Sequence, residues 1–450
     1  MKFKRFDKIY FLGIGGIGMS SIAQFFLEGG KNVAGYDKVK TNLTNYLGQR
    51  GAKIHYKPDL NKIPKDFKIK DKTLVIYTPA IDYDNEELNF FMDSGFLVLK
   101  RSDILAQISN NKFCIAIAGT HGKTTTSSIL SHILFENDLS VSSFVGGISE
   151  NYNNNYLNNG QKIIVVEADE FDKSFLKLKP DVACITSIDF DHSDVYNNKD
   201  ELLNSFQEFS QKVKKSGIII KKYGLPIEGE SYGFDSLSNY YISNFNNETD
   251  FSTFDINYSN TSCKNVKFKM SGKHNAENAL AAFIICKKLN LDDNIIIKSL
   301  GSFKGVRRRF TYVLKSPKVL IDDYAHHPVE INMVKKTTFS LFKGKKVTVI
   351  FQPHLFSRTR DFMEEFANVL KDFHEIILLE IYPAREKPIS GINSNILLEK
   401  INNKNKQLLN DKELYMHIRK SDSDVFLALG AGDIGEKVNS IKNVIQTNEF

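Results

Sequence analysis

Short apolar runs along the chain keep ending in glycine turns and then give way to stretches with helical spacing. Lys8 to Leu12 reads as a strand, Gly13 to Gly18 as a turn, Met19 to Leu27 as a helix and Asn32 to Tyr36 as a strand; a later strand, Thr73 to Tyr77, stops at Thr78-Pro79. That alternation predicts a parallel α/β unit. It restarts at Phe113 to Ala118, a buried strand followed by a second glycine turn and a helix. Beyond Phe310 it restarts again, with strands around Val319 to Ile321, Lys346 to Phe351, Glu375 to Glu380 and Val425 to Leu429. Three α/β domains are expected, over residues 1–108, 109–310 and 311–450. The asparagine-rich stretch at 150–160 and the polar stretch at 238–262 are expected to be surface excursions.

Composition narrows this picture. A chain of 450 residues, 42% hydrophobic and 25% charged, is globular and too long for one core. Lys2, Lys4 and Arg5 ahead of an apolar stretch imitate a secretory signal, but Asp7 and the glycines at 13, 15, 16 and 18 break it. No apolar run is long enough to span a membrane. The four cysteines are scattered without metal or disulfide spacing, so a reducing cytoplasmic setting is expected. The net charge of +7 is spread along the chain without a basic block, which argues against nucleic acid and suits anionic substrates.

Two turns carry candidate phosphate chemistry. Gly13-Ile14-Gly15-Gly16-Ile17-Gly18 satisfies GxGxxG between strand and helix, where absent side chains let the backbone approach a pyrophosphate. Asp37, after the second strand, stands where an acidic residue meets a ribose hydroxyl, so this turn alone supports NAD. The second turn, Gly119-Thr120-His121-Gly122-Lys123-Thr124-Thr125, departs from GxxxxGK[ST] because Ile117 replaces its first glycine. Its working end is intact: Lys123 can neutralise phosphate charge and the Thr124 hydroxyl can coordinate Mg²⁺. Two later strands end in carboxylates and a histidine, at Glu167-Ala168-Asp169-Glu170 and Asp189-Phe190-Asp191-His192. Glu167 and His192 are metal candidates; the alternatives are a helix N-cap for Asp169 or Asp189 and a hydrogen-bonded structural histidine for His192.

The segments GIGGIGMSS, AGTHGKTTT, EADEFDKSF, SIDFDHSD, KHNAENALAA, GVRRRF, DDYAHHPVEI, FQPHLFSRTRDF and GAGDIG follow the order found in Mur ligases, and the resemblance covers nearly the whole chain. It implies a Rossmann-like N-terminal domain for a UDP-sugar, a central P-loop ATPase domain, and a Rossmann-like C-terminal domain that closes over nucleotide and receives an amino acid. The first turn would then hold the pyrophosphate of UDP rather than NAD, through Gly15, Gly16, Ile17, Gly18, Ser20 and Asp37. Gly119 to Thr125 would hold ATP, with Thr124, Glu167 and His192 at Mg²⁺. His274, Asn275 and Asn278 match the family's HNxxN motif near adenine, and Arg309 and Asp323 match positions near the ATP ribose and phosphates. Tyr324, His326, His327, His354 and Arg358 fall at the amino-acid end, with Lys123, His326 and Arg358 as catalytic groups.

The implied reaction joins L-alanine to the lactyl carboxylate of UDP-N-acetylmuramate at the expense of ATP, through an acyl phosphate, in a cytoplasmic monomer or weak homodimer engaged in peptidoglycan precursor synthesis. Two departures stand out. Leu355 occupies a position where many members carry arginine, which leaves Arg358 or Arg360 to supply that contact, and Gln207 stands where related ligases carry a modified lysine. The rivals are a murein peptide ligase acting on the same UDP-sugar and, from another class, a nicotinamide-dependent oxidoreductase.

Overall fold

A computed structural model describes residues 2–82, 84–191, 195–384 and 386–447. The chain forms two compact units, one made of residues 1–188, 203–232 and 281–299, the other of 189–202, 233–280 and 300–450.

In the first unit, β1 (Lys8–Leu12), β2 (Asn32–Tyr36), β3 (Lys53–His55), β4 (Thr73–Tyr77) and β5 (Leu97–Lys100) form a parallel sheet in the order β3-β2-β1-β4-β5. Ile9, Tyr10, Phe11, Leu12, Leu74, Val75 and Ile76 are fully buried, as strands covered on both faces must be, which is why they read as unbroken apolar runs. Leu12 pairs with Tyr36 and Tyr77, so three strands end level and the turn after β1 opens at their carboxyl ends, where open parallel sheets collect ligands.

The same unit holds β6 (Phe113–Ala118), β7 (Val141–Ser149), β8 (Asn154–Asn158), β9 (Ile163–Ala168), β10 (Val182–Ile185), β11 (Ile218–Lys222) and β12 (Glu230–Gly233), in the order β12-β11-β10-β6-β9-β7-β8. The β7–β8 pair is antiparallel and the others are parallel. Ala118 at the end of β6 lies beside Ala168 of β9 and Ile185 of β10, so the second glycine turn emerges between the strand ends that carry Glu167 and Thr186.

The second unit contains β13 (Tyr240–Asn247), β14 (Ser252–Tyr258) and β15 (Thr261–Phe268), antiparallel to one another. It also contains β16 (Thr311–Leu314), β17 (Val319–Asp323), β18 (Val347–Phe351), β19 (Glu375–Leu378), β20 (Lys406–Leu408) and β21 (Val425–Leu429), ordered β16-β17-β21-β18-β19-β20 with only the edge pair β16–β17 antiparallel. Val349, Phe351 and Leu427 enter one core while Ile350, Phe426 and Ala428 enter the other, the alternation that a sheet packed on both faces imposes.

Both stretches expected as surface excursions are ordered strands. In β8, Asn155 is fully buried and Tyr156 and Leu157 are nearly so; the asparagine amides find internal hydrogen bonds, and polar composition concealed the strand. In the second stretch Ile242, Phe254 and Ile256 are buried, and β14 turns into β15 through Ser259 and Asn260, at φ 43° and 61°. Two left-handed residues in a two-residue loop match the twist of a hairpin, so the polar residues mark its turn rather than an excursion. No helix among the described residues is long and apolar enough to cross a membrane.

Candidate active site

The first glycine turn is held from two sides. Gly13 and Ile14 donate their amides to the Tyr36 carbonyl at 2.8 and 3.1 Å, and Gly15 donates to Asp37 Oδ2 at 2.7 Å. The other Asp37 oxygen accepts from Val39 N at 3.0 Å, so its carboxylate shapes the turn in addition to any role at a ribose. A Cβ on Gly15 would lie 2.7 Å from Thr44 Cγ2 and 2.9 Å from Asp37 Oδ2, which leaves no room there, while one on Gly18 would displace the Arg101 guanidinium, whose Nη1 lies 2.6 Å away. Ser20, expected at substrate, is instead fully buried: its hydroxyl donates to the Ile17 carbonyl at 3.0 Å and accepts from Asn155 Nδ2 at 3.0 Å. Ser21, one step round the helix Ile17–Glu28, is buried as well, with its hydroxyl donating to the Gly18 carbonyl at 3.1 Å, and it borders the cleft that this turn faces.

The second turn begins at Gly119 because β6 continues through Ile117, a fully buried core residue, to Ala118. Gly119 has φ +134°, and a Cβ there would meet Thr186 Oγ1 at 2.2 Å. Thr186 and Ser187, past the end of β10, pin the loop: Thr120 N donates to Ser187 O at 3.2 Å and His121 N to Ser187 Oγ at 2.8 Å. These residues spend their hydrogen bonds on the loop and do not extend the strand. Gly122, at φ +84°, precedes the helix Lys123–Glu136, in which Thr124 and Thr125 are buried.

Lys123 Nζ meets Glu170 Oε2 at 2.7 Å and Oε1 at 2.9 Å, and it also donates to Gly119 O. Burial pulls the ammonium pKa down, and the carboxylates of Glu170, Asp169 and Glu167 more than offset that, leaving it raised and Lys123 charged. Glu167 accepts from Thr124 Oγ1 and Ser127 Oγ, each at 3.0 Å, and from Gly146 N. Burial raises its pKa against the pull of these donors and of Lys123.

Both turns face one cleft of about 340 Å³. Gly16, Ile17, Gly18, Met19 and Ser21 line one side, Lys123, Gly146, Glu167 and Asp169 another, and Arg101 stands among them, 3.5 Å from Asp169 Oδ2. Arg101 and Glu170 escaped the sequence reading. The available signal was a cation directly after the carboxyl end of β5, and a third acidic residue in a run already singled out.

The second unit gathers most of the remaining candidates. Asp323, nearly buried, accepts from Phe310 N at 2.6 Å and Ala325 N at 2.7 Å; burial raises its pKa to about 6 despite Arg309 and the two amides. The Tyr324 ring lies 5.2 Å from the Arg308 guanidinium and 5.4 Å from that of Arg309. His326 Nδ1 meets the Tyr324 carbonyl at 2.8 Å. Enclosure lowers the His326 pKa to about 4; Glu330 opposes this and Arg358 reinforces it, so the ring is neutral near pH 7.

His327 differs from its neighbour. Its Nδ1 accepts from Val329 N at 3.3 Å as the cap of the helix Pro328–Leu341, and its Nε2 lies 3.2 Å from Phe190 O. With both ring nitrogens engaged and the residue 3% exposed, His327 caps this helix in the structure.

Arg358 forks onto Asp191, with Nη2 2.8 and 3.0 Å from the two carboxylate oxygens and Nε 3.1 Å from Oδ1, while Nη1 lies 3.4 Å from His354 Nδ1. Both partners are under 10% exposed. Asp191 thus gives the Arg358 guanidinium a fixed partner. Leu355 is itself buried, at φ +72°, with its amide bonded to Tyr382 O at 3.0 Å.

At the start of the helix Lys273–Lys288, Asn275 donates to Ser271 O at 2.8 Å and is buried, as is Asn278, while His274 is the more open of the three. His192 lies outside the described residues, and among those described no group of three or more His, Cys, Asp and Glu side chains is placed to hold a metal.

Residues 8–113 match the family model "Mur ligase family, catalytic domain", residues 117–286 the "Mur ligase middle domain" and residues 308–432 the "Mur ligase, glutamate ligase domain". A UDP-N-acetylmuramate--L-alanine ligase of Flavobacterium psychrophilum is 47% identical over 98% of this chain and 99% of its own. The chain belongs to the Mur ligase family. A second ligase of the same name, from Flavobacterium johnsoniae, is 45% identical over the whole of both chains. Among solved structures, the UDP-N-acetylmuramate-alanine ligase MurC of Thermotoga maritima is 28% identical and superposes with a TM-score of 0.82, covering 98% of this chain and 100% of that one. The architecture is the three-domain α/β fold of a Mur ligase, and the nicotinamide reading of the first glycine turn is not favoured.

Proposed function

We propose that this chain joins L-alanine to the lactyl carboxylate of UDP-N-acetylmuramate, using ATP, in cytoplasmic synthesis of peptidoglycan precursors. The observation that carries the reading is the single cleft onto which both glycine turns open, one suited to the pyrophosphate of a UDP-sugar and the other to the phosphates of ATP. The assignment of 1–108 to the UDP-sugar, 109–310 to ATP and 311–450 to the amino acid belongs to the same proposal, as does action as a monomer or weak homodimer.

The chemistry answers a leaving-group problem. An amine does not displace oxide from a carboxylate, so a carboxylate oxygen first attacks the γ-phosphorus of ATP and ADP departs. The alanine amine then adds to the acyl carbon, and inorganic phosphate leaves with that oxygen as the amide forms. In the first step Lys123 and the amides at the start of its helix face the charge spreading over the transferred oxygens, where positioning and electrostatics carry most of the catalysis.

Mg²⁺ fits the donor set on chemical grounds. Glu167 and Thr124 offer hard oxygens, and the space beside Glu167 exists because Gly146 has no Cβ, which would stand 2.6 Å from Oε2. When bound there, with His192 as a further candidate ligand, it would neutralise phosphate charge.

His326, expected to act as the base, is too acidic at about 4 to strip an ammonium efficiently. With its Nδ1 proton given to Tyr324 O, the other ring nitrogen is fitted to accept a hydrogen bond from the amine and orient it. Arg358, fixed by Asp191, supplies the cation for the amino-acid carboxylate or the acyl phosphate.

The test is incorporation of labelled L-alanine into UDP-N-acetylmuramate with ATP, run beside a stem tripeptide. Alanine-dependent ADP formation is expected. Turnover with the tripeptide but not with alanine would transfer the assignment to murein peptide ligation, and turnover with neither would end it.

A further inference from the structure

Lys123 carries three N–H donors, and all three have acceptors in this structure: Gly119 O and the two oxygens of Glu170. Glu170 is held firmly for the purpose. Its side chain is 1% exposed, and it sits at the head of a tight segment in which Asp172 and Lys173 both take left-handed backbone conformations, at φ 55° and 50°. Lys173 N donates to the Glu170 carbonyl at 3.0 Å and Ser174 Oγ to the Asp169 carbonyl at 3.0 Å, so the backbone carrying the carboxylate is fixed on both sides. A nucleotide phosphate reaching Lys123 therefore competes for its N–H groups with Gly119 O and with the Glu170 carboxylate, the charged acceptor of the two.

We infer that Glu170 is a positioning residue that acts as an internal stand-in for phosphate, keeping the Lys123 ammonium aimed into the cleft and weakening its grip on nucleotide through competition. This rests on the reading of Lys123 as the phosphate lysine. The exchange lets nucleotide binding repay only the difference between two charge-assisted hydrogen bonds, which favours release of ADP after each turnover. Without Glu170 the lysine meets phosphate unopposed, ground state and product are held more tightly, and binding that is equal before and at the transition state does not speed the chemistry. Lys123 would also lose the carboxylate that fixes its direction.

The experiment measures ADP affinity, in the presence of Mg²⁺, by calorimetry on the full chain as wild type, Glu170→Gln, Lys123→Ala and the double variant. It adds kcat and KM for ATP where turnover remains. Glu170→Gln is expected to bind ADP about tenfold more tightly, the worth of one hydrogen bond to a charged group, with KM for ATP and kcat both lowered. That tightening is expected to vanish in the double variant, since it acts through Lys123. A folded Glu170→Gln with unchanged or weaker ADP binding, or tightening that survives in the double variant, overturns the inference. If Glu170→Gln does not fold, Glu170→Asp, whose shorter side chain withdraws from Nζ, is read by the same criterion with a smaller expected gain. Lys123→Ala that binds ADP like the wild type would instead count against the phosphate-loop reading.

Discussion

In the first unit the groups turned towards the cleft come mostly from backbone that glycine leaves bare: Gly16, Gly18 and Gly146, together with the turn held by Gly119 and Gly122. In the second unit the candidate groups are side chains fixed by other side chains: Arg358 by Asp191, His354 stacked 5.8 Å from Tyr382, and the Tyr324 ring beside two guanidinium groups. Under the proposed function, the contrast answers what each would have to recognise. Phosphate has the same shape and charge in every nucleotide, so a cradle of amides at a helix start suffices. An amino acid is told from its neighbours by small differences in size and by a carboxylate, which requires pre-positioned side chains and a guanidinium fork.

The sharpest way to break this comparison is Lys123→Ala, which removes the ammonium from the backbone site. Turnover is expected to fall by about a thousandfold or more while UDP-sugar affinity stays near wild type, as for loss of a group that meets charge in the transition state. Ligation rates and calorimetry with UDP-N-acetylmuramate read the two halves separately, and a loss of UDP-sugar binding would merge them.

Next in size is Arg358→Ala. It removes the guanidinium that faces the buried Asp191 carboxylate, and the expected cost is about 3–5 kcal/mol of folding stability in addition to lost activity. Denaturant titration reads it. Replacing both partners by apolar residues of similar volume is expected to restore much of the stability and none of the turnover, whereas no loss in Arg358→Ala would show that the fork is not part of the scaffold.

Gly119→Ala tests the backbone half alone. The new Cβ collides with Thr186 and φ +134° suits glycine only, so about 1–3 kcal/mol of strain is expected at the loop. Weaker ATP binding with unchanged L-alanine KM would sharpen the contrast, and an unchanged ATP affinity would remove Gly119 from the cradle.

The smallest effect concerns His326. Its folded pKa of about 4 lies below the ordinary 6.5, so the folded state favours the neutral ring. The stability this contributes is present in full above pH 6.5 and is lost as pH falls through 4. Comparing denaturant midpoints of wild type and His326→Asn from pH 7 to pH 4, the wild-type value is expected to fall more. A parallel fall in both would mean that the ring titrates normally.

What the sequence disclosed follows the same division. The strand, glycine turn and helix of each phosphate site are local, and their residue types are dictated by φ and by close approach, so Gly13 to Gly18 and Gly119 to Lys123 were legible in order and spacing. The pairing of Asp191 with Arg358 spans 167 positions, and nothing in either motif alone names the other. The strand β8 was read as a loop because asparagine composition conceals what Asn155 does, which is to tie the Ile17 carbonyl and Ser20 Oγ to β8 through its side-chain amide.

The most direct test of the account follows the oxygen atoms. With UDP-N-acetylmuramate labelled by oxygen-18 in its lactyl carboxylate, together with L-alanine and ATP, every inorganic phosphate released is predicted to carry one oxygen from that carboxylate, because the acyl phosphate surrenders it when the amine attacks. Phosphate free of the label, formed alongside the alanine adduct, would contradict the account.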